Sequence, residues 1–332
     1  MSYQNIGIIG AGAWGTALAQ TLTNSGRNIT IWAHEPECAA AINSRHENTH
    51  YLAGHALNET ISATSDFTDL SGSDAVLVAT PAQNMRRTLR NFAPYAKDGL
   101  PVILCSKGIE ISSLKFMSEV LADELPSSIP AVLSGPSFAV DVVKGLPTAV
   151  TLACADRDVG ARLVQSLAAP HFRPYYTGDV LGAEIGGAVK NVLAIVCGVV
   201  AGRGLGRSAH AAIITRGFAE MTRLGKALGC RPETLIGMCG LGDLVLTCSS
   251  EISRNMSCGM ALGRGESLES IMAARVSVTE GVETAPALRQ LARQSCVDMP
   301  ICSAMASVLD GSEDIDAVIK RLLSREHKPE QA

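Results

Sequence analysis

A glycine-rich turn near the start of the chain constrains its fold more than any other feature. Gly10-Ala-Gly12-Ala-Trp-Gly15 directly follows the apolar run Ile6-Gly-Ile-Ile9 and opens a helical pattern. The G-x-G-x-x-G spacing between a strand and a helix is typical of dinucleotide binding. The first glycine permits a tight turn, the second lets backbone approach a pyrophosphate, and the third allows the helix to pack closely on the strand. The N-terminus of the helix adds free N–H donors. We therefore expect Gly10, Gly12 and Gly15 to form a dinucleotide site.

Hydrophobic patterning divides the chain into two parts. The first half alternates short β-branched runs with helical patterns, which is typical of a parallel sheet covered by helices. From about residue 180 only long, Ala- and Leu-rich helical patterns follow. We predict an α/β protein, with a Rossmann-like dinucleotide-binding domain and a mostly parallel sheet at 1–179, and an all-helical domain at 180–332. The predicted strands are 5–10, 28–33, 74–80, 101–105, 130–134 and 147–153. The predicted helices are 14–25, 36–44, 83–92, 113–124, 157–168, 181–202, 209–229, 257–263, 266–274, 284–294, 300–309 and 313–323.

Composition excludes several classes of protein. Lys and Arg number 28 against 32 Asp and Glu, and aromatic residues make up 4%, so neither a basic surface nor base stacking favours nucleic-acid binding. The ten cysteines form no C-x-x-C pair, which favours free thiols in a reducing compartment.

The first residues, Met-Ser-Tyr-Gln-Asn, lack the basic and apolar regions of a signal peptide. The longest apolar run, 192–201, is too short to span a bilayer. We expect a cytoplasmic protein without membrane insertion or a nucleic-acid partner.

A lysine in the middle of an apolar helix is the main anomaly of the second half. Residues 182–202 are apolar nearly all round, which predicts a buried helix, yet Lys190-Asn191 lies at its centre. Burial of an ammonium is costly unless it is paired or faces a wet cleft, and it lowers the pKa of the group towards the range useful for acid–base catalysis. The alternative is a lysine whose ammonium reaches the domain surface.

Two further motifs offer partners for this lysine. Gly240-Leu-Gly-Asp243-Leu supplies an aspartate that could hold the charge and orientation of the lysine, and Ser253-Arg254-Asn255 supplies a guanidinium suited to phosphate. Taken alone, Arg254 is more typical of an ordinary solvated surface residue.

Small and polar residues follow three predicted strands. They are Thr80-Pro81, Ser106-Lys107-Gly108 and Ser134-Gly135-Pro-Ser137. Since the carboxyl ends of parallel strands meet at one edge, we expect these segments to line the cofactor and substrate, with Lys107 as their only cation.

Two motif matches point to other chemistry and are rejected. His46-Glu-Asn-Thr-His50 matches H-E-x-x-H, but Asn and Thr are poor helix formers and Gly54 follows closely, so the histidines lack the stable helix that a zinc protease requires. Ser112-Ser-Leu-Lys115 matches S-x-x-K without the companion motifs of a penicillin-binding site. We expect no metal site.

Taken together, these segments closely resemble the NAD(P)-dependent glycerol-3-phosphate dehydrogenases of the bacterial soluble type. The resemblance covers about residues 5–325 in order. The segments that carry it are 10–18, 106–109, 133–139, 186–191, 240–244, 253–255 and 280–281.

The resemblance implies reversible hydride transfer between a nicotinamide and C2 of a three-carbon phosphate. Dihydroxyacetone phosphate becomes sn-glycerol 3-phosphate, which supplies glycerophospholipid synthesis. Lys190 would exchange the proton at the C2 oxygen, and Arg254 would grip the phosphate. The implied catalytic residues are Lys190, Asn191, Asp243, Thr247 and Lys107. The implied substrate contacts are Lys107, Gly135, Ser137, Lys190, Asp243, Ser253, Arg254 and Asn255. The implied cofactor contacts are Gly10, Gly12, Ala13, Trp14, Gly15, His34, Lys107, Ala139, Arg254, Val278 and Glu280. The resemblance also implies that 180–332 is the substrate-binding and catalytic domain and that the protein is a homodimer.

The choice of cofactor depends on the end of the second strand. A carboxylate there favours NAD through the ribose 2′-OH, and a basic residue favours NADP. This chain has Ala33-His34-Glu35, with His34 where many relatives carry Arg. We expect NADP or NAD to be used, with NADP weakly preferred.

Two alternatives remain from the residues alone. Hydroxyacid dehydrogenases of the 6-phosphogluconate or 3-hydroxyisobutyrate type share the two-domain plan but use a catalytic Lys-x-x-x-Asn. Here Asn191 directly follows Lys190, and position 194 is Ala, which disfavours them. A non-catalytic dinucleotide sensor would have no use for Lys190, Asp243 and Arg254 together. Turnover with dihydroxyacetone phosphate separates all three.

Overall fold

One eight-stranded sheet organises the first half of the chain. The structure, a computed structural model, describes residues 2–275 and 277–326. The strand order is β3-β2-β1-β4-β5-β6-β7-β8, and every neighbouring pair is parallel except β6 and β7. The strands are β1 (Asn5–Ile9), β2 (Asn28–Trp32), β3 (Ser62–Thr64), β4 (Ala75–Val78), β5 (Pro101–Leu104), β6 (Ile129–Ser134), β7 (Thr148–Cys154) and β8 (Phe172–Thr177). The predicted mostly parallel sheet is confirmed.

Helices pack on the sheet and then form the second half alone. Among the described residues, the helices of the first half are α1 (Ala13–Thr23), α2 (Pro36–Arg45), α3 (Met85–Phe92), α4 (Met117–Glu124), α5 (Ala139–Val143) and α6 (Arg157–Leu167). Those of the second half are α7 (Val180–Gly202), α8 (Arg207–Ala227), α9 (Pro232–Ile236), α10 (Asp243–Cys248), α11 (Arg254–Gly263), α12 (Leu268–Ala273), α13 (Glu280–Gln294), α14 (Pro300–Leu309) and α15 (Ile315–Leu323). The predicted Rossmann-like and all-helical parts are therefore both confirmed.

Short elements account for most differences from the predicted pattern. Strands β3 and β8 and helices α5, α9 and α10 were not predicted, because three to six residues give little periodicity. The helix predicted over 113–124 begins only at Met117, and Leu114 has a φ of +60°, which a right-handed helix does not allow. The boundary at 179/180 stays a prediction: β8 ends at Thr177 and α7 begins at Val180. Residues 327–332 of the predicted second domain lie outside the described part.

Helix α7 forms the core of the helical half. It packs against α8, α10, α11, α13 and α14. By length and composition it could cross a membrane, but 83% of its most apolar stretch is buried inside the protein, as in a core helix. Helix α11 approaches it most closely: a Cβ on Gly259 would lie 1.9 Å from the carbonyl oxygen of Ile195. This contact, which only glycine allows, fixes α11 beside the middle of α7, where Lys190 lies.

Candidate active site

Two lysines from opposite halves of the protein share one buried aspartate. Lys190 Nζ donates to Asp243 Oδ1 at 2.8 Å, and Lys107 Nζ donates to Asp243 Oδ2 at 2.8 Å. Lys190 also donates to the Thr247 hydroxyl at 2.8 Å. Lys190 and Asp243 are 7% and 1% exposed, respectively. The prediction that Asp243 lies beside Lys190 is therefore confirmed by geometry, and Lys107 joins the same cluster.

Burial and charge act in opposite directions on these groups. Burial lowers the pKa of Lys190 to about 8, although Asp243 partly offsets this effect. Burial alone would raise the pKa of Asp243, but the ammonium groups of Lys107 and Lys190 outweigh it and hold that pKa below its usual range. A lysine with a pKa near neutrality can both donate and accept a proton at physiological pH.

The local backbone explains how Asp243 reaches the lysines. Residues 238–242 form a π-helical turn that leads into α10, whose first residue is Asp243. Thr247 lies one turn later and donates to Asp243 Oδ1 at 3.2 Å. π-Helical turns are rare and are found frequently at functional sites. The Gly240-Leu-Gly motif thus presents Asp243 to α7.

The carboxyl ends of β5 and β6 complete this corner. Lys107 follows β5, and its ammonium also donates to the carbonyl oxygen of Gly135, at 3.3 Å, just beyond β6. The Ser137 hydroxyl donates to the same oxygen at 3.0 Å. Gly135 has a φ of +153°, and a Cβ there would lie 2.9 Å from Val150 Cα, so glycine is required for this approach. The predicted strand-end residues therefore do converge.

A chain of side-chain amides links the two halves behind the lysines. Asn191 Nδ2 donates to the Lys107 carbonyl at 3.1 Å, and Asn255 Nδ2 donates to Asn191 Oδ1 at 2.9 Å. The Gly281 N–H donates to Asn255 Oδ1 at 2.9 Å. Asn191 and Asn255 are both buried. The Asn191 amide therefore holds the backbone of Lys107, and the Asn255 amide joins Asn191 to the start of α13.

Arg254 offers an unused cation at the start of α11. Its side chain is exposed, and its guanidinium has no hydrogen-bond or ion-pair partner within residues 2–275 and 277–326. Ser253 is buried and caps α11 by accepting from the Met256 N–H at 3.2 Å. A free guanidinium at a helix N-terminus, one residue from the buried Asn255, suits an anionic group.

The glycine-rich turn has the geometry that a pyrophosphate requires. Gly10 has a φ of +114°, and a Cβ on Gly15 would lie 2.0 Å from the Gly10 carbonyl oxygen. At Gly12, by contrast, a Cβ would meet nothing within 4 Å, and no side chain caps α1. The first N–H groups of α1 therefore face open space, and these residues fit a dinucleotide. Ala13 and Trp14 begin α1, and Ala139 begins α5, which packs against α1.

The remaining predicted cofactor residues lie at two places. His34 is exposed just after β2, while the neighbouring Glu35 accepts from the Tyr51 hydroxyl at 3.3 Å. Val278 lies just before α13, half-buried. Glu280, at the start of α13, accepts from the Ala82 N–H at 3.1 Å, and burial raises the pKa of its carboxyl to about 7.

Neither of the two rejected motifs lies on a helix. Helix α2 ends at Arg45, and His46 has a φ of +50°, so His46 and His50 do not share a helix. Lys115 pairs with the exposed Asp123 at 2.7 Å. Over the described ranges, no group of three or more His, Cys, Asp or Glu is placed to hold a metal ion.

One residue beside the site had not been predicted. Gln83, five residues after the end of β4, binds the backbone of the loop that carries Lys107. A lone glutamine has no distinctive spacing, and only its position after a strand end could have indicated it.

Comparison with known proteins places the chain in a family. The model of the NAD-dependent glycerol-3-phosphate dehydrogenase N-terminus matches residues 5–160, and that of the C-terminus matches residues 179–320. A glycerol-3-phosphate dehydrogenase [NAD(P)+] of Maricaulis maris is 60% identical over 323 residues, which are 97% of both chains. That of Caulobacter vibrioides is 57% identical, over 99% of this chain and all of its own.

A solved structure agrees with both matches. The crystal structure of the glycerol-3-phosphate dehydrogenase from Coxiella burnetii superposes with a TM-score of 0.93 at 35% identity, and covers 97% of this chain and 99% of its own. The resemblance expected from the motifs is confirmed, and with it an oxidoreductase that uses NAD or NADP. The chain belongs to the NAD-dependent glycerol-3-phosphate dehydrogenase family.

Proposed function

We propose that this protein interconverts dihydroxyacetone phosphate and sn-glycerol 3-phosphate with NADPH or NADH. The observation that carries the proposal is the Lys190–Asp243–Lys107 cluster. It combines a buried lysine of near-neutral pKa with a second cation at the carboxyl ends of β5 and β6. In open α/β sheets, ligands bind at this edge.

The proton chemistry follows from the cluster. A bound nicotinamide supplies or takes up the hydride at C2. Lys190 stands at the C2 oxygen, stabilises the negative charge that develops there and transfers the proton. Asp243 and Thr247 hold the Lys190 ammonium through hydrogen bonds at 2.8 Å, so the proton donor is oriented before substrate arrives. Asn191, which follows Lys190 on α7, holds the backbone of Lys107 through a hydrogen bond to its carbonyl oxygen.

The substrate phosphate is assigned to the start of α11. Arg254 grips it through the planar guanidinium, which forms charge-assisted hydrogen bonds with phosphate oxygens. Ser253 and Asn255 flank Arg254, and Lys107, Gly135 and Ser137 bound the other side of the substrate. The cofactor would be held by Gly10, Gly12, Ala13, Trp14, Gly15, His34, Ala139, Val278 and Glu280, and Lys107 and Arg254 would contact both cofactor and substrate.

Three finer points belong to the proposal. NADP is weakly preferred because His34, rather than a carboxylate, follows β2 and is exposed to a 2′-phosphate. The enzyme works in the cytoplasm as a homodimer, the commonest state of soluble oligomers, without membrane insertion or nucleic acid. The glycerol 3-phosphate that it makes supplies glycerophospholipid synthesis.

Turnover of reduced nicotinamide with a substrate panel tests the function. Purified protein is mixed with NADPH or NADH and dihydroxyacetone phosphate, with unphosphorylated dihydroxyacetone as the matched control. We expect fast cofactor oxidation with dihydroxyacetone phosphate and oxidation at least about 100-fold slower with dihydroxyacetone. The reason is that only the phosphorylated substrate offers Arg254 a hydrogen-bond partner. The reverse assay offers 6-phosphogluconate and 3-hydroxyisobutyrate with oxidised cofactor. Turnover of these alone would transfer the protein to the hydroxyacid dehydrogenases, and cofactor binding without turnover would make it a sensor.

A further inference from the structure

The loop that carries Lys107 is held from both sides. On the helical side, Asn191 Nδ2 donates to the Lys107 carbonyl, and the Ile109 and Phe116 side chains are buried in the core of the helical half. On the sheet side, the Ser106 hydroxyl donates to the Thr80 carbonyl. The backbone after Lys107 is also held within the loop, where the Glu110 N–H donates to the Lys115 carbonyl at 2.9 Å.

Gln83 binds the same stretch of backbone through both the nitrogen and the oxygen of its side-chain amide. Gln83 Nε2 donates to the Ile109 carbonyl at 2.8 Å, and Gln83 Oε1 accepts from the Ile111 N–H at 3.0 Å. The two bonds span one residue of the loop, so they fix its register as a neighbouring strand would. Gln83 itself is anchored, because the preceding Ala82 N–H donates to Glu280 Oε1 of α13 at 3.1 Å.

An ion pair reinforces the same segment. Glu110, between the two bonded residues, is 5% exposed, and its carboxylate accepts from Arg86 of α3, the nearest oxygen at 2.8 Å. Arg86 also pairs with Glu124 at 2.9 Å and Asp123 at 3.0 Å of α4. The ion pair attaches the loop to α3 and α4, whereas the Gln83 amide acts directly on backbone atoms within four residues of Lys107.

We propose that Gln83 is a positioning residue, which sets the Lys107 ammonium against Asp243 and Gly135 by fixing the backbone that follows it. Lys107 Nζ satisfies two acceptors at 2.8 and 3.3 Å at once, and this requires its Cα to stay in place. A displacement of about 1 Å in a positioning group can cost about 100-fold in rate. The inference rests on the role proposed above for Lys107.

A double-mutant cycle tests the coupling. Gln83→Leu lowers kcat/KM for dihydroxyacetone phosphate by about 10- to 100-fold in the native background. In a Lys107→Met background the same substitution costs less than about twofold, because the group it positions is gone. Gln165→Leu, the same change at an exposed glutamine whose side chain makes no hydrogen bond in the described structure, leaves kcat/KM unchanged.

A second variant gives a readout that a general loss of stability would not move. Gln83→Glu keeps the acceptor for the Ile111 N–H but turns a carboxylate oxygen towards the Ile109 carbonyl. Protonation restores the donor, so the activity of this variant relative to native enzyme rises as the pH falls towards the pKa of the new carboxyl. Thermal unfolding of each variant identifies any that fails to fold, and Gln83→Glu then decides the question.

The outcomes separate this inference from the proposed function. Equal losses from Gln83→Leu with and without Lys107, or a Gln83→Glu deficit that does not change with pH, would overturn the positioning role alone. Full activity in the single Lys107→Met variant would overturn the role of Lys107 and the positioning role of Gln83, but it would leave the proposed reaction standing. Absence of dihydroxyacetone phosphate turnover in the native enzyme would overturn the proposed function itself.

Discussion

Replacement of Asp243 by Asn tests how the buried charges set the proton donor. Asp243→Asn keeps the size and a hydrogen-bond acceptor but removes the negative charge that Lys107 and Lys190 share. At an effective dielectric of about 20, a charge pair about 4 Å apart is worth about 4 kcal/mol. One pKa unit corresponds to about 1.4 kcal/mol, so the pKa of Lys190 falls by about 3 units in the variant.

The assay is the pH dependence of kcat/KM for reduction. We expect reduction by the native enzyme to need protonated Lys190 and therefore to decline as the pH rises through about 8. In the variant the decline begins at lower pH, so kcat/KM at neutral pH falls by about 100-fold or more, and the gap narrows as the pH falls. Asp158→Asn, the same change at an exposed position of α6, leaves the profile unmoved. A deficit in Asp243→Asn that is equal at every pH would refute the argument, because the carboxylate would then act on geometry alone.

Three further predictions concern the cofactor turn, the buried carboxyl of Glu184 and the phosphate grip. In thermal melting, Gly15→Ala lowers the melting temperature, since its Cβ would strike the backbone, whereas Gly12→Ala melts as the native protein does. In cofactor titration, Gly12→Ala binds NADPH about 10-fold more weakly than the native protein. Equal melting temperatures of the two variants would contradict this prediction. Burial raises the pKa of Glu184 to about 7, so the native protein loses stability as the pH rises from about 4.5 through 7. In urea unfolding, Glu184→Gln therefore raises the free energy of unfolding by about 1–3 kcal/mol at pH 8 and leaves it unchanged at pH 5. A stabilisation that does not depend on pH would contradict this prediction. Arg254→Gln raises the KM for dihydroxyacetone phosphate by about 10- to 100-fold and leaves the KM for dihydroxyacetone unchanged. Equal effects on the two KM values would show that Arg254 does not bind the phosphate.

Periodicity and local chemistry made much of the fold predictable. Strand–helix alternation predicted the parallel sheet, and the glycine spacing of the first turn predicted an open helix N-terminus that the structure contains at Gly12. The lysine inside an apolar helix indicated the candidate site, because a buried charge needs a partner, and Asp243 is that partner.

Contacts between distant segments could not be predicted in the same way. Lys107 and Asp243 are 136 residues apart, and only the packing of the two halves brings them together. The π-helical turn before Asp243 has no sequence pattern of its own. Strand β8 lies at the sheet edge with Tyr175 and Tyr176 exposed, so it lacks the apolar run that identified the central strands. Gln83 is ordinary in composition and gains its importance only from the loop that it contacts.

The most direct test of the account is turnover in Lys190→Met, measured together with cofactor binding. Methionine fills the space of the lysine side chain without a proton to transfer, and the glycine-rich turn is untouched. If Lys190 carries the proton, kcat for dihydroxyacetone phosphate reduction falls by about 1,000-fold or more, consistent with the loss of an acid–base group, while the NADPH dissociation constant changes by less than about threefold. Turnover within about tenfold of the native rate, with NADPH bound normally, would show that Lys190 does not carry the proton.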